Sequence, residues 1–199
     1  VKSLLDEIQK DVKLSHVKIV SAFFNYKGFV KEFLENSINN KIKIDLITGS
    51  SPIHLNPTEA NTLFDKHKKN KSIFSLLRYK ETKNNPVLHS KFYLFYEKGK
   101  SHPSYFLFGS SNMSVSGFSI NYESNLFGTN TEILQILEKE LKNIPTTSFD
   151  PSIYKEKPKD GLMTKSGFDE VQWSPIGYQQ DIIDIIEKEF EKEDKGNVI

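Results

Sequence analysis

Apolar positions along the chain follow two rhythms. "VKLSHVKIVSAFF" (12–24), "KIKIDLITG" (41–49), "SIFSLLRYK" (72–80), "HSKFYLFYEK" (89–98), "SYFLFGS" (104–110) and "ESNLFG" (123–128) are short runs rich in β-branched and aromatic residues. Bounded by turn residues, they predict strands. Between them, "GFVKEFLENSINN" (28–40) sets Phe29, Val30, Phe33 and Leu34 on one helical face. "NPTEANTLFDKHKKN" (56–70) opens with Asn56 as a cap, Pro57 in the first turn and Glu59 three residues after the cap. "TEILQILEKELKNI" (131–144) is a third amphipathic helix. The early strand–helix–strand–helix–strand order predicts an α/β fold, a mixed central β-sheet flanked by helices.

After Ile144 the rhythm stops. "PTTSFDPSIYKEKPKDG" (145–161) is Pro-, Ser-, Thr- and charge-rich with no apolar period, so it predicts a linker or a surface-hugging strap. "WSPIGYQQDIIDIIEKEFEKE" (173–193) resumes as a helix, capped by Ser174 with Pro175 in its first turn and striped by Ile182, Ile183, Ile186 and Phe190. The expected division is a body at 1–147, a linker at 148–170 and a further unit at 171–199, whose final "KGNVI" reads as the approach to another strand.

Composition adds limits. The 199 residues suit one domain with an appendage. The absence of cysteine excludes disulfides and thiolate metal sites. No apolar run approaches the ~20 residues of a membrane span, and no signal-peptide pattern is present; the expectation is a soluble cytoplasmic protein with no membrane partner. The net charge of +1 hides an asymmetry: residues 1–125 carry 18 Lys and Arg against 11 Asp and Glu, residues 126–199 nine against 15. A basic body suits a polyanionic partner.

The candidate chemistry lies in "VLHSKFYLFYEKGKSHPSYFLFGSSNMSVSGFSINYESNLF" (87–127). Alternate strand residues share a face, so His89 and Lys91 point one way and Phe92 and Leu94 the other. A neutral imidazole beside a fixed ammonium suits phosphoryl chemistry: the imidazole attacks phosphorus while the ammonium neutralises its oxygens. "GSSNMS" adds the hydroxyls of Ser110, Ser111 and Ser114 and the amide of Asn112. Glu123, eleven residues past Asn112, is placed to accept from an imidazole N–H.

The ordered set His-x-Lys, Gly-Ser-x-Asn and Asn-x-Glu resembles the phospholipase D superfamily over residues 12–144. The resemblance implies that His89 is a nucleophile forming a phosphohistidine and that Lys91 and Asn112 bind the phosphate. Ser110 and Ser114 would donate from the glycine turn, and Glu123 would orient the imidazole of His89 or of its mate. The fuller motif has an acid five residues after the lysine, where this chain has Tyr96. The branch lacking that acid looks like the metal-independent restriction endonucleases and small nucleases, so the resemblance implies no metal or other cofactor. Its mechanism needs two histidines; His54 and His102 lack the His-x-Lys spacing, and His16 (with Lys18) and His67 (with Lys69) have no Gly-Ser-x-Asn turn about twenty residues later. A homodimer with the site at its twofold interface is therefore implied, with His16, His54 and His102 structural. Lys66, Lys68, Lys69 and Lys71 around His67 form a candidate grip for a nucleic-acid backbone.

The tail has its own resemblance. Pro175, Tyr178 and Gln179 match the Pro-x-x-Tyr-Gln motif that precedes the P-loop in superfamily 2 helicases, where the glutamine reads adenine. The implied protein is a DNA endonuclease forming the N-terminal part of a restriction or phage-defence nuclease–helicase. ATP would bind only with a helicase part whose GxxxxGK[ST] loop this sequence lacks. The other reading, favoured by Tyr96, is a catalytically weak DNA-binding and dimerisation module of a helicase.

Overall fold

The computed structural model describes residues 2–11, 13–50, 52, 54–81, 87–119, 123–155 and 177–192. Strand β1 (Leu14–Ser21) is central because both of its faces are apolar: Val17 and Ile19 point one way and Val20 the other, all fully buried. Strands β2 (Lys43–Thr48) and β3 (Phe74–Tyr79) run parallel to it, reached through helices α2 (Gly28–Asn39) and α3 (Pro57–Lys69). On the other side β4 (Lys91–Glu97) lies antiparallel to β1 and continues into a meander with β5 (Tyr105–Gly109) and β6 (Asn125–Gly128). A short β7 (Thr146–Ser148) pairs antiparallel with β3, giving seven strands in the order β6-β5-β4-β1-β2-β3-β7. The mixed sheet flanked by helices is thus the observed architecture.

Two apolar layers sandwich the sheet. Helix α1 (Lys2–Asp11), α2, α3 and the short α4 (Val115–Ser119) cover one face through Leu5, Phe33, Leu63 and Phe118. Helices α5 (Thr131–Asn143) and α6 (Gly177–Lys192) cover the other through Ile133, Leu137 and Ile182. No helix among the described residues is long and apolar enough to cross a membrane.

Several local expectations need correction. Helix α1 was not signalled; it docks by burying Leu5 and Ile8 and by a Gln9 Nε2 bond of 2.7 Å to Ser37 Oγ. The segment from 148, expected as a linker or a surface-hugging strap, begins with packed structure, as the strap reading has it. Phe149 and Tyr154 are buried, Pro151–Lys155 form a 3₁₀ helix, and the Tyr154 hydroxyl donates to the Gly49 carbonyl at 2.6 Å. The rest of that segment, with Ser174, Pro175 and "KGNVI", lies outside the described residues. Asn56 caps α3 by accepting from the Thr58 N–H at 2.9 Å. Glu59 instead accepts from the Tyr26 N–H at 2.8 Å and pairs with Lys27 at 3.2 Å, tying α3 to the loop after β1.

Candidate active site

Antiparallel pairing brings the predicted residues to one end of the sheet. Ser21 at the end of β1 faces Lys91 at the start of β4, and Gly109 at the end of β5 faces Asn125 at the start of β6. This is also the carboxyl end of β2 and β3, the edge at which open α/β sheets gather ligands. A cavity of about 400 Å³ opens there, lined by His89, Lys91, Phe108, Gly109, Ser110, Asn112 and Gln179.

Lys91 is buried, and its Nζ donates to the His89 carbonyl at 2.6 Å. Burial pulls its pKa down to about 8, opposed by the charge of Glu123. His89 precedes the strand by two residues and opens to solvent, and the Lys91 ammonium turns back onto the His89 main chain, so strand alternation alone does not set the pair. Partial desolvation of the His89 ring, then the Lys91 charge, lower its pKa and favour the neutral imidazole.

The turn after β5 is pinned on every side. A Cβ on Gly109 would meet the Ser124 carbonyl oxygen at 2.3 Å, so only glycine allows β6 to approach. Met113 N–H donates to Ser21 Oγ at 2.8 Å, and the Tyr93 hydroxyl donates to the Ser111 carbonyl at 3.2 Å. Asn112 Oδ1 accepts from the Phe23 N–H at 3.1 Å, which sets the amide so that Nδ2 is the group left to donate. Ser110 is exposed and accepts from the Ser124 N–H at 2.9 Å.

Other predicted residues sit elsewhere. Ser114 Oγ accepts from the Gly117 N–H at 3.0 Å, capping α4, and borders a neighbouring cavity rather than the one at His89. Glu123 is half-buried and acts on Lys91 by charge. Lys66 pairs with Glu35 at 3.3 Å and Lys68 lies 4.2 Å from the Phe64 ring centroid, while Lys69 and Lys71 are exposed. At about 1.5 Å per residue, Lys69 stands about 15 Å along α3 from Glu59, which lines the adjoining cavity. Tyr178 donates its hydroxyl to Ser90 Oγ at 3.0 Å and meets Phe108 edge-on. Its neighbour Gln179 lines the His89 cavity.

The structure also answers the departure at position 96. In β4 residues 91, 93 and 95 face one core and 92, 94 and 96 the other, so Tyr96 points away from Lys91 and lies about 16 Å along the strand. Its hydroxyl donates to Glu138 Oε1 at 3.3 Å. The tyrosine thus removes nothing from the cavity.

One residue that the sequence reading leaves as structural lies close to the site. His54 is buried against Gly49, where an added Cβ would lie 2.4 Å from its Nδ1, and its ring meets Phe23 edge-on at 4.7 Å. Burial lowers its pKa; Glu81 raises it, and the charges of Lys91 and His89 lower it further. The available signal was its place just after the Gly49 that ends β2, the carboxyl edge where the site lies.

An α/β domain with a His–Lys–Asn cluster at the edge where its parallel strands end is the class these features define. The family model described as "Cardiolipin synthase, PLD-like domain" matches residues 4–144, and the chain belongs to this phospholipase D-like family. NucT from Helicobacter pylori is similar in structure, with a TM-score of 0.53 and 19% identity over 71% of this chain and 84% of that one. The phospholipase D family member Nuc from Salmonella typhimurium matches with a TM-score of 0.51 and 9% identity over 72% and 85%. Phosphatidylserine synthase from Haemophilus influenzae gives 0.56 and 13% over 95% of this chain, which spans only 43% of that one. At these identities the likeness is one of fold. No curated protein matches the chain.

Proposed function

We propose that the chain is a phosphodiesterase that cleaves DNA through a covalent phosphohistidine, without metal. The observation that carries this reading is the convergence of His89, Lys91, Ser110 and Asn112 on one cavity, with an imidazole held toward its neutral form. His89 attacks phosphorus, forming a P–N bond as the P–O bond to the leaving alcohol breaks. Lys91 and Asn112 Nδ2 neutralise the non-bridging oxygens. A second imidazole gives its proton to the leaving oxygen, then takes one from water, whose oxygen displaces His89 and restores the nucleophile. In this reading the second imidazole is His89 of another copy in a twofold homodimer. NucT and Nuc, similar over most of their lengths, support the nuclease branch.

Tyr178 and Gln179 extend the proposal: the chain is the N-terminal part of a restriction or phage-defence nuclease–helicase, in which ATP belongs to the helicase part. The buried imidazole of His54 favours a second reading of the proton donor, in which both histidines come from one chain. Plasmid cleavage in EDTA by wild type and His89→Ala tests the chemistry; cleavage that stops with chelator, or survives the substitution, overturns it. Light scattering with His54→Gln separates the two donors. A dimer that stays active without His54 supports the twofold site, and an active monomer silenced by His54→Gln supports the single-chain one.

A further inference from the structure

A second cavity, of about 590 Å³, adjoins the first and shares Asn112 with it. Its walls include Phe23, Phe24, Leu55 and Val115, with the polar groups of Asn25, Asn56 and Glu59. Single exposed apolar residues are ordinary on protein surfaces. Phe23 differs in how it is held, although its side chain is 37% exposed. Its N–H is bonded to Asn112 Oδ1, the same amide that faces the phosphate cavity. Its ring is steadied by the edge of His54, and the Phe24 N–H donates to the His54 carbonyl at 2.8 Å. Asn25 N–H donates to the Met113 carbonyl at 3.1 Å, so the aromatic wall and the phosphate turn form one hydrogen-bonded unit.

We infer that this cavity takes an unpaired nucleobase of the nucleotide next to the scissile phosphate, stacked on Phe23. The inference rests on the phosphodiesterase reading for the place of the phosphate. Asn25 Nδ2 donates to Glu59 Oε1 at 3.1 Å, Glu59 also accepts from the Tyr26 N–H, and Asn56 Oδ1 accepts from the Thr58 N–H; a base offers a flat π-face for the exposed aromatic and an edge for the amide hydrogens and carbonyl that these bonds leave over. A base stacked and paired in a duplex hides its π-face and its Watson–Crick edge, so the subsite selects single-stranded or locally opened substrate. An acyl chain would leave Asn25, Asn56 and Glu59 facing hydrocarbon.

Single-phosphate probes fix the register. Binding of thymidine 3′- and 5′-monophosphate, deoxyribose 5-phosphate, inorganic phosphate and dihexanoyl phosphatidic acid is measured by calorimetry on the whole chain. One of the two nucleotides is expected to bind on the order of tenfold tighter than deoxyribose phosphate, the scale of one base–aromatic stack. Phe23→Ala is expected to erase that advantage and Phe23→Tyr to keep it, with the melting temperature of each variant reporting its folding. Nucleotides that bind no tighter than the sugar phosphate overturn the subsite, as does an advantage that persists in folded Phe23→Ala. The lipid probe binding best overturns it equally. Hydrolysis of bis(4-nitrophenyl) phosphate judges the phosphodiesterase reading separately. A chain that binds the base but hydrolyses nothing keeps the subsite and loses the chemistry.

Discussion

The two ends of β1 each lie beside a histidine, and the two surroundings differ in kind. At the amino end, His16 Nε2 sits 2.7 Å from Asp45 Oδ2, with Lys43 3.5 Å from the same carboxylate and the ring stacked on Tyr96. Burial alone would raise the Asp45 pKa, but the hydrogen bond and charge of His16, with Lys43 and Lys18, hold it below the usual value. At the carboxyl end, His89 neighbours a buried ammonium whose pKa falls to about 8 because burial disfavours its charge. The first arrangement has the look of a catalytic dyad, yet its charges are already compensated and it lines neither of the two cavities. The second is held at some cost to the fold, which an arriving phosphate would relieve. Groups that satisfy one another stabilise; groups left short of a partner by the fold are the ones poised for a ligand.

The largest expected effect breaks the comparison at its root. His89→Ala should lower DNA hydrolysis by on the order of 10⁴-fold or more, as removal of a nucleophile does. His16→Ala should leave the rate within about threefold while unfolding in less urea. Equal losses of activity at the two histidines would erase the distinction.

Lys91→Met comes next. Loss of the phosphate-neutralising charge should cost about 10²–10³-fold in kcat. Removing a buried charge should at the same time raise stability by about 1 kcal/mol, measured by urea unfolding. A variant that is both slow and less stable would mean that Lys91 serves the fold. The pH profile sharpens the same point. kcat/KM should rise with pH as the attacking His89 loses its proton, with a midpoint below the ordinary 6.5 of histidine, and fall at higher pH as the donor imidazole loses its proton and then, near about 8, as Lys91 deprotonates. A plateau through pH 9 would remove Lys91 from the reaction.

Much of this arrangement was legible in the sequence because strands and motif coincide there. "HSKFYLFYEK" gave both the strand and the His–Lys pair, and Asn56-Pro57 marked the start of α3. What stayed hidden depends on contacts distant in sequence. "TTSFDPSIY" carries no period, and what makes it part of the body is the pairing of β7 with β3, the burial of Phe149 and Tyr154, and the Tyr154 hydroxyl reaching Gly49, 105 positions away. Glu59 matched a capping box, but a backbone N–H from the loop after β1 competes for its carboxylate and wins. His54 had no motif at all; its place beside the site follows from the close packing of Gly49. The fifth position after Lys91 misled for a simpler reason, since strand parity alone turns it away.

The paired histidine yields a stability effect that depends on pH. Asp45 has a folded pKa below its unfolded value, so its contribution is present above the unfolded value and is lost as pH falls through the folded one. Asp45→Asn should therefore cost about 1–2 kcal/mol at pH 7, and less at pH 3, where wild type has lost most of the same contribution. Urea midpoints at both values measure it; a cost that does not change with pH would mean packing rather than ionisation.

The smallest effect bears on Tyr96, which belongs to the His16 end although sequence order ties it to Lys91. Tyr96→Phe deletes only the hydroxyl bonded to Glu138 and keeps the ring that stacks on His16 and lies 4.8 Å from Lys18 Nζ. The expected loss is about 0.5–1 kcal/mol of stability with an unchanged turnover of DNA, because the hydroxyl bonds to α5 about 16 Å along β4 from Lys91. A tenfold fall in kcat at unchanged stability would place the Tyr96 hydroxyl in communication with His89, and the two ends of β1 would then have to be treated as one site.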